Sequence, residues 1–476
     1  MRKSSIRIKY RKSKKLDDVS RHGLLATIYQ FAQSKGMFQL WDALPLKMKS
    51  VIYSPADKLK TLWASIVVGC EHTYDINSEL GAHEKALAKV FAMERFPDQS
   101  QVNRLLNRST QQTVDCYRKQ HFELLCRHTR SKKRSCWLRL GKGKRYLMVD
   151  IDQRGLVVSG KQFELAERGY FGRHRGHTGY QLSVLFLGGE IGEVVDEYLD
   201  PGNVYGKARI GDLLGTLAEL CRRQQFRPDQ VIIRGDAEFG TPANIAVVES
   251  YGFKYLFKGL SLQKAQNLAQ EVTDCYQRVK ASAGDRGRWM ADLGEHVHED
   301  HSEGGAGKSI TCRTLVMASV PEVPPKRITK SHRKKRPAAE EEKTQQIRHD
   351  YFLTNLGANE LPVEKVPYVY DARTTIESYF HDERYALGAK HLRTWSFQGS
   401  ALFQYLVATT NNLLKWFKHE ELKDTDFESY GLTRIIHKLM QIPARLTEQG
   451  KIWTIELSQS HALAVKLLEQ WHLHSP

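Results

Sequence analysis

Cysteine is sparse in the 476-residue chain, with seven residues at positions 70, 116, 126, 136, 221, 275 and 312. They form no Cys-x-x-C pair, and their number is odd. That excludes a disulfide framework and a zinc finger and fits a reduced, intracellular chain. Long apolar runs are missing too. No run of about 18 apolar residues exists, so no membrane-spanning helix is expected. Met1–Lys15 has no acid and no apolar core but eight Lys/Arg, which excludes a secretory signal. Acids are outnumbered throughout, 54 Asp+Glu against 72 Lys+Arg, leaving a net charge of +18. An excess that large points to a polyanion, most simply nucleic acid. Hydrophobic residues make up 41% of the chain, enough for a globular protein of two or three domains.

The order of elements follows from what is present. Residues 1–22 form a basic arm able to order on DNA phosphates. Residues 23–130 read as an all-α domain. Leu59, Leu62, Trp63, Ile66 and Val67 repeat at helical spacing. A short helix capped at Ser100 and bearing Gln101, Asn103, Arg104 and Arg108 suits DNA contact or a solvated surface equally. A basic linker, Arg130–Arg145, follows. From Tyr146 the pattern changes to buried strands: Tyr146–Asp152, Gln181–Gly188, Glu193–Leu199, Gln230–Asp236 and Phe253–Lys258. Gly188-Gly189 marks a hairpin, and helices fall at Ile210–Arg223 and Pro242–Tyr251. The order β-β-β-α-β-α-β predicts a mixed sheet with helices on its faces.

Residues 261–350 read as an insertion. It holds a helix over Gln263–Ala281 and strands over Arg286–Leu293 and Ser309–Ser319. Between the strands, His296, His298 and His301 with nearby acids suit a polar loop or, less simply, a metal site. Pro324–Arg336 carries seven Lys/Arg and reads as an exposed phosphate-binding segment. Residues 351–420 return to the core, and residues 421–476 close the chain with amphipathic helices and a short strand near Trp453–Leu457.

Tyr370–Arg384 contains no Gly or Pro and reads as one helix. At about 100° per residue, Tyr370, Arg373, Glu377 and Arg384 share a wedge of about 60°. Alone, this face suits either a solvated Arg–Glu pair or a site. Upstream, Asp152 ends one apolar strand and Asp236 another. Three carboxylates at one sheet edge are costly unless cations neutralise them. Two Mg²⁺ ions about 3.5–4 Å apart would do so and would activate water or a 3′-hydroxyl against a phosphodiester. Asp150 lies two residues before Asp152 on the same strand face and is the alternate first carboxylate.

These residues resemble the insertion-sequence DDE transposases of the cut-and-paste kind. Val149-Asp150-Ile151-Asp152 is one element of the resemblance. Arg234-Gly235-Asp236-Ala237-Glu238-Phe239 is similar to the family's R-G-D-x-x-F segment. Tyr370, Arg373 and Glu377 match its Y-x2-R-x3-E-x6-K signature, with Arg384 in place of the final Lys. The long segment between Asp236 and Glu377 suits the β-rich insertion of some members. Tyr74-Asp75-Ile76-Asn77 and Ile442-Pro443-Ala444-Arg445 are similar to the flanking segments.

The resemblance implies an RNase-H-like mixed sheet, split into residues 144–260 and 351–420 around the insertion. It implies that Asp152, Asp236 and Glu377 are catalytic and bind Mg²⁺ or Mn²⁺, and that Tyr370, Arg373 and Arg384 hold DNA phosphates. Gln153-Arg154 after Asp152 departs from the family's D-x-T. The implied function is binding of terminal inverted repeats, DNA cleavage and strand transfer. The alternative is a related metal-dependent nuclease or domesticated recombinase. Double-stranded DNA, a homodimer in the synaptic complex, no membrane, and a prokaryotic cytoplasm with nucleoid association complete the expectation.

Overall fold

The computed structural model describes residues 7–13, 19–46, 48, 52–171, 176–272, 276–281, 285–300, 307–321, 347–450 and 452–470. The expected basic segment Pro324–Arg336 and His301 lie outside these residues. The strands in chain order are β1 (Arg7–Ser13), β2 (Leu138–Arg139), β3 (Arg145–Val157), β4 (Glu167–Arg168), β5 (Thr178–Leu187), β6 (Glu193–Pro201) and β7 (Val231–Gly235). They continue as β8 (Lys254–Lys258), β9 (Gln277–Val279), β10 (Asp285–Glu299), β11 (Ser309–Pro321), β12 (Arg348–Thr354), β13 (Ala444–Gln449) and β14 (Ile452–Ser458).

β3 is the centre of the molecule. On one edge it pairs antiparallel with β5, which pairs antiparallel with β6. On the other it pairs parallel with β7, and β7 pairs parallel with β8. This is the RNase-H-like arrangement: an antiparallel meander continued by two parallel strands that each need a helical crossover. Ile210–Gln224 and Pro242–Ser250 supply those crossovers. Side chains of β3 divide by the strand's period of two. Leu147, Val149 and Ile151 join the large core, whereas Tyr146 and Met148 join a second cluster with Ile232, Leu256, Phe352 and Val369. Both faces are therefore covered, which is why the run is apolar without alternation. The 25-residue helix Phe397–Glu421, buried from Gly399 to Leu414, supplies the largest cover of the first face.

The strands of the expected insertion continue this same sheet. β12 pairs antiparallel with β8, and β11, β10 and β9 follow outward. The His-containing segment is strand rather than polar loop. β10 runs to Glu299, and its two described histidines take separate partners, His296 with Glu271 at 3.0 Å and His298 with Thr314 at 2.7 Å. The helix here ends at Glu271, and β9 follows where helix was expected.

Residues 25–128 are helical, as their periodicity predicts. Ser54 and Asp57 form a capping box ahead of Pro55–Val67, with Pro55 in the first turn, where its missing N–H costs nothing. The next boundary shifts slightly: Asp98, not Ser100, caps Gln99–Asn107, accepting the amides of Ser100 and Gln101. The basic arm is not free over its described part. β1 pairs in parallel with β14, which forms a hairpin with β13. In the last part of the chain the expected strand near Trp453–Leu457 is β14 and a closing helix spans Ala462–Gln470, but β13 takes residues from Ala444 on, where an amphipathic helix was expected to run to Leu446. Among the described residues no helix is long and apolar enough to cross a membrane.

Candidate active site

Parallel pairing of β3 with β7 sets Asp150 opposite Arg234. The pairing stops there, and two residues on, at the same offset, stand Asp152 and Asp236. β3 does not end at Asp152; it runs on to Val157 because β5 still pairs with it. One edge of β3 is thus open beside Asp152, and the site occupies that opening.

Asp150 and Arg234 are both fully buried. Arg234 donates from Nε and Nη2 to the two oxygens of Asp150, at 2.7 and 2.8 Å. The Thr375 hydroxyl donates to the same carboxylate at 3.4 Å. A β-carbon on Gly188 would lie 2.5 Å from Asp150 Oδ2 and 2.7 Å from Arg234 Nη2, so only glycine fits there. Asp150 has no oxygen open to the cleft.

The helix expected over Tyr370–Arg384 is two helices, Val366–Asp371 and Thr374–Tyr385. Arg234 is the reason. The Arg373 amide bonds the Tyr370 carbonyl at 2.9 Å, one residue short of the α pattern, which releases the Val369 carbonyl. Arg234 Nη1 donates to that carbonyl, and its Nη2 lies 3.5 Å from the Ala372 carbonyl. The break leaves Arg373 between the helices and aims it at Asp152.

Arg373 Nη1 donates to Asp152 Oδ2 at 2.7 Å. Its Nη2 lies 3.8 Å from Glu377 Oε1, and Glu377 is 61% exposed while Asp152 is 13% exposed. One guanidinium therefore links the first and third acids. Burial pushes the Asp152 carboxyl up to about 6, opposed by Arg373 and reinforced by the neighbouring Asp236 carboxylate. Asp236 accepts the Glu238 amide at 3.0 Å. Tyr370 packs edge-on against Phe352, and burial raises its hydroxyl to about 12, with Arg373 opposing.

A cavity of about 1230 Å³ opens beside the acids, and Asp236, Glu238, Lys207, Arg384 and Lys390 all line it. Arg384 is thus separated from Asp152 and Glu377 but shares the cleft with Asp236. Glu238 was not singled out by sequence. It accepts the Gly206 amide at 2.8 Å, and burial pushes its carboxyl up. Its signal is its place in Asp236-Ala237-Glu238. Neither Lys207 nor Lys390 was singled out by sequence.

The sheet is RNase-H-like, with Asp152 inside β3, Asp236 just past the end of β7, Glu377 on a following helix and a cationic cleft that Asp236 lines. The chain belongs to the transposase DDE domain group 1 family, whose profile matches residues 31–472. Eight chains of solved structures match it. One, from the crystal structure of a pre-cleavage Mos1 transpososome, is 16% identical, with a TM-score of 0.17. The alignment covers 44% of this chain and 60% of that one, so it spans less than two thirds of that chain. Comparison with curated proteins finds no match.

Proposed function

We propose that this chain is a DNA transposase that binds the terminal inverted repeats of its element, cleaves at the ends and joins them to target DNA. The supporting observation is the grouping of Asp152 and Asp236 just past the point where the pairing of β3 with β7 stops, with Glu377 reached through Arg373. Asp150 is spent on Arg234, so Asp152 is the first carboxylate of the triad.

The donors are all carboxylate oxygens, the set that hard Mg²⁺ or Mn²⁺ prefers. Burial and then the neighbouring Asp236 carboxylate already raise Asp152, and Glu377 is exposed, so the residues present fit such ions. When bound there, divalent cations would activate the attacking hydroxyl or water and stabilise the leaving oxygen. The chain's own groups do the rest. Asp152, Asp236 and Glu377 hold the charge that fixes the cations. Arg373 and Tyr370, beside the acids, would hold a DNA phosphate. Arg384, Lys207 and Lys390 hold backbone phosphates along the cleft. Two ends processed together call for two chains, so the active assembly is a homodimer on DNA.

The test is a cleavage assay with Mg²⁺ on DNA carrying the sequences that flank the coding region. Glu377→Gln is expected to bind end DNA and not cleave it; retained cleavage removes Glu377 from the site. Wild-type cleavage without any joined product would point instead to a metal-dependent nuclease.

A further inference from the structure

A second cluster of metal-binding side chains lies apart from the triad, where the helical N-terminal region meets the core. We propose that Glu71, His72 and His391 form a Zn²⁺ site that clasps the 69–75 turn to the 388–395 turn. One donor atom from each of the three residues lies within 4.8 Å of the others. The imidazoles face each other at 4.5 Å between centroids and 33° between planes. His72 is stacked on Tyr74 at 5.0 Å, which fixes its ring. Among the described residues, neither imidazole makes a ring-nitrogen hydrogen bond. Their nitrogens remain available as ligands.

Both turns are held in place before any ion binds. Asp75 accepts the amides of Glu71 and His72 at 2.9 and 2.7 Å, closing the first turn. Buried Arg393 donates to the Cys70 carbonyl. Gly388, at φ +67°, lets the second turn approach so closely that a β-carbon there would lie 2.4 Å from the same carbonyl. Ligands on rigid, mutually anchored backbone lose little entropy on binding an ion.

Two imidazoles and one carboxylate suit Zn²⁺, with water in the fourth position. They do not suit Mg²⁺, which takes oxygen ligands. The two sites therefore differ in metal as well as place. His72 and His391 also line the catalytic cavity, so the clasp sits at its rim.

The test is Zn²⁺ titration of the full-length, chelator-stripped protein against a chromophoric competitor, with Co²⁺ absorption as a second readout. Wild type and Asp236→Asn are expected to bind one Zn²⁺ per chain at this site with equal affinity. His72→Ala and His391→Ala should each weaken it by about 10- to 100-fold or more. Glu71→Gln, on an exposed side chain, tests the third ligand without disturbing the fold. Unchanged affinity in Glu71→Gln, or in a folded His72→Ala/His391→Ala protein, would overturn the site. Loss of the high-affinity Zn²⁺ in Asp236→Asn would do so too, by placing the ion at the triad.

Discussion

The chain carries two groups of acids, one buried and one at the cleft, and they are treated in opposite ways. In the buried group on β6, Glu193 accepts from Thr129 at 2.6 Å, the Arg130 amide at 3.0 Å and Trp416 at 3.0 Å. Asp196 is gripped by Arg118 and accepts from Thr216 at 2.7 Å and Tyr405 at 3.1 Å. In the cleft, Asp152 and Glu377 share Arg373 as their cationic partner, and Glu377 is mostly in water. A carboxylate whose oxygens are filled by the protein holds the fold together. Asp152 has both oxygens occupied too, by Arg373 and by the Gln153 amide, but it lies beside Asp236, and an acid beside another acid at a cleft is set to take a cation. Residue type does not separate the two groups; the charge of their neighbours does.

The sharpest way to break this comparison is to remove one acid from each side. Asp236→Asn should reduce Mg²⁺-dependent cleavage by about 10³-fold or more, the order expected when a metal ligand is lost. Its thermal midpoint should stay the same or rise, because Asp152 loses a like-charged neighbour; DNA cleavage and calorimetry on one preparation read both. Arg234→Met should do the reverse in kind. It leaves Asp150 buried and unpaired and frees the Val369 carbonyl, costing about 3–5 kcal/mol by denaturant unfolding. An Arg234→Met protein of wild-type stability would show that Asp150 is not held as the geometry indicates.

What local pattern determines was legible in the sequence. The apolar runs of β3, β7 and β8, the Gly188-Gly189 hairpin and the helices of residues 25–128 all follow from spacing and turn chemistry within a few residues. What depends on distant partners was not. The break at Ala372–Arg373 is caused by Arg234, which reaches in from another strand, so the segment itself reads as unbroken helix. β1 finds β14 at the other end of the chain, and nothing in a run of Lys and Arg marks that pairing. Asp150 and Asp152 share a strand face and a sequence context; only the register against β7 places Arg234 opposite the first and open space beside the second. The strands after α-helical Leu262–Glu271 read as an insertion because sequence order does not reveal that β12 docks on β8.

A pH series sharpens the comparison from the buried side. Glu197 is fully buried, and its pKa is raised well above 4.5, chiefly by burial and then by Glu383 and Asp196. The folded protein therefore keeps a proton that the unfolded chain releases. That contribution is complete below pH 4.5 and is lost as pH rises toward the folded value. Gln does not titrate, so Glu197→Gln should match wild type near pH 4 and exceed it progressively above. The gap should widen by at most about 1.4 kcal/mol per pH unit, the slope for one proton. Unfolding midpoints at pH 4, 6 and 8 check this, and a gap independent of pH would mean that Glu197 is ionised in the fold.

The smallest effect is expected at the cleft wall. Arg384 lines the cavity with Asp236 but touches neither Asp152 nor Glu377, and its guanidinium lies 5.8 Å from the Tyr385 ring. Arg384→Lys restores the residue of the family signature and keeps the charge while giving up the planar fork. If Arg384 serves as a point charge for a backbone phosphate, end-DNA affinity should change by less than about 10-fold, with the salt dependence intact. Arg384→Ala should weaken binding more and lower the slope of log affinity against log salt by about one. A larger loss in the Lys variant than in the Ala variant would show that the fork's geometry, and not its charge, is what the cleft uses.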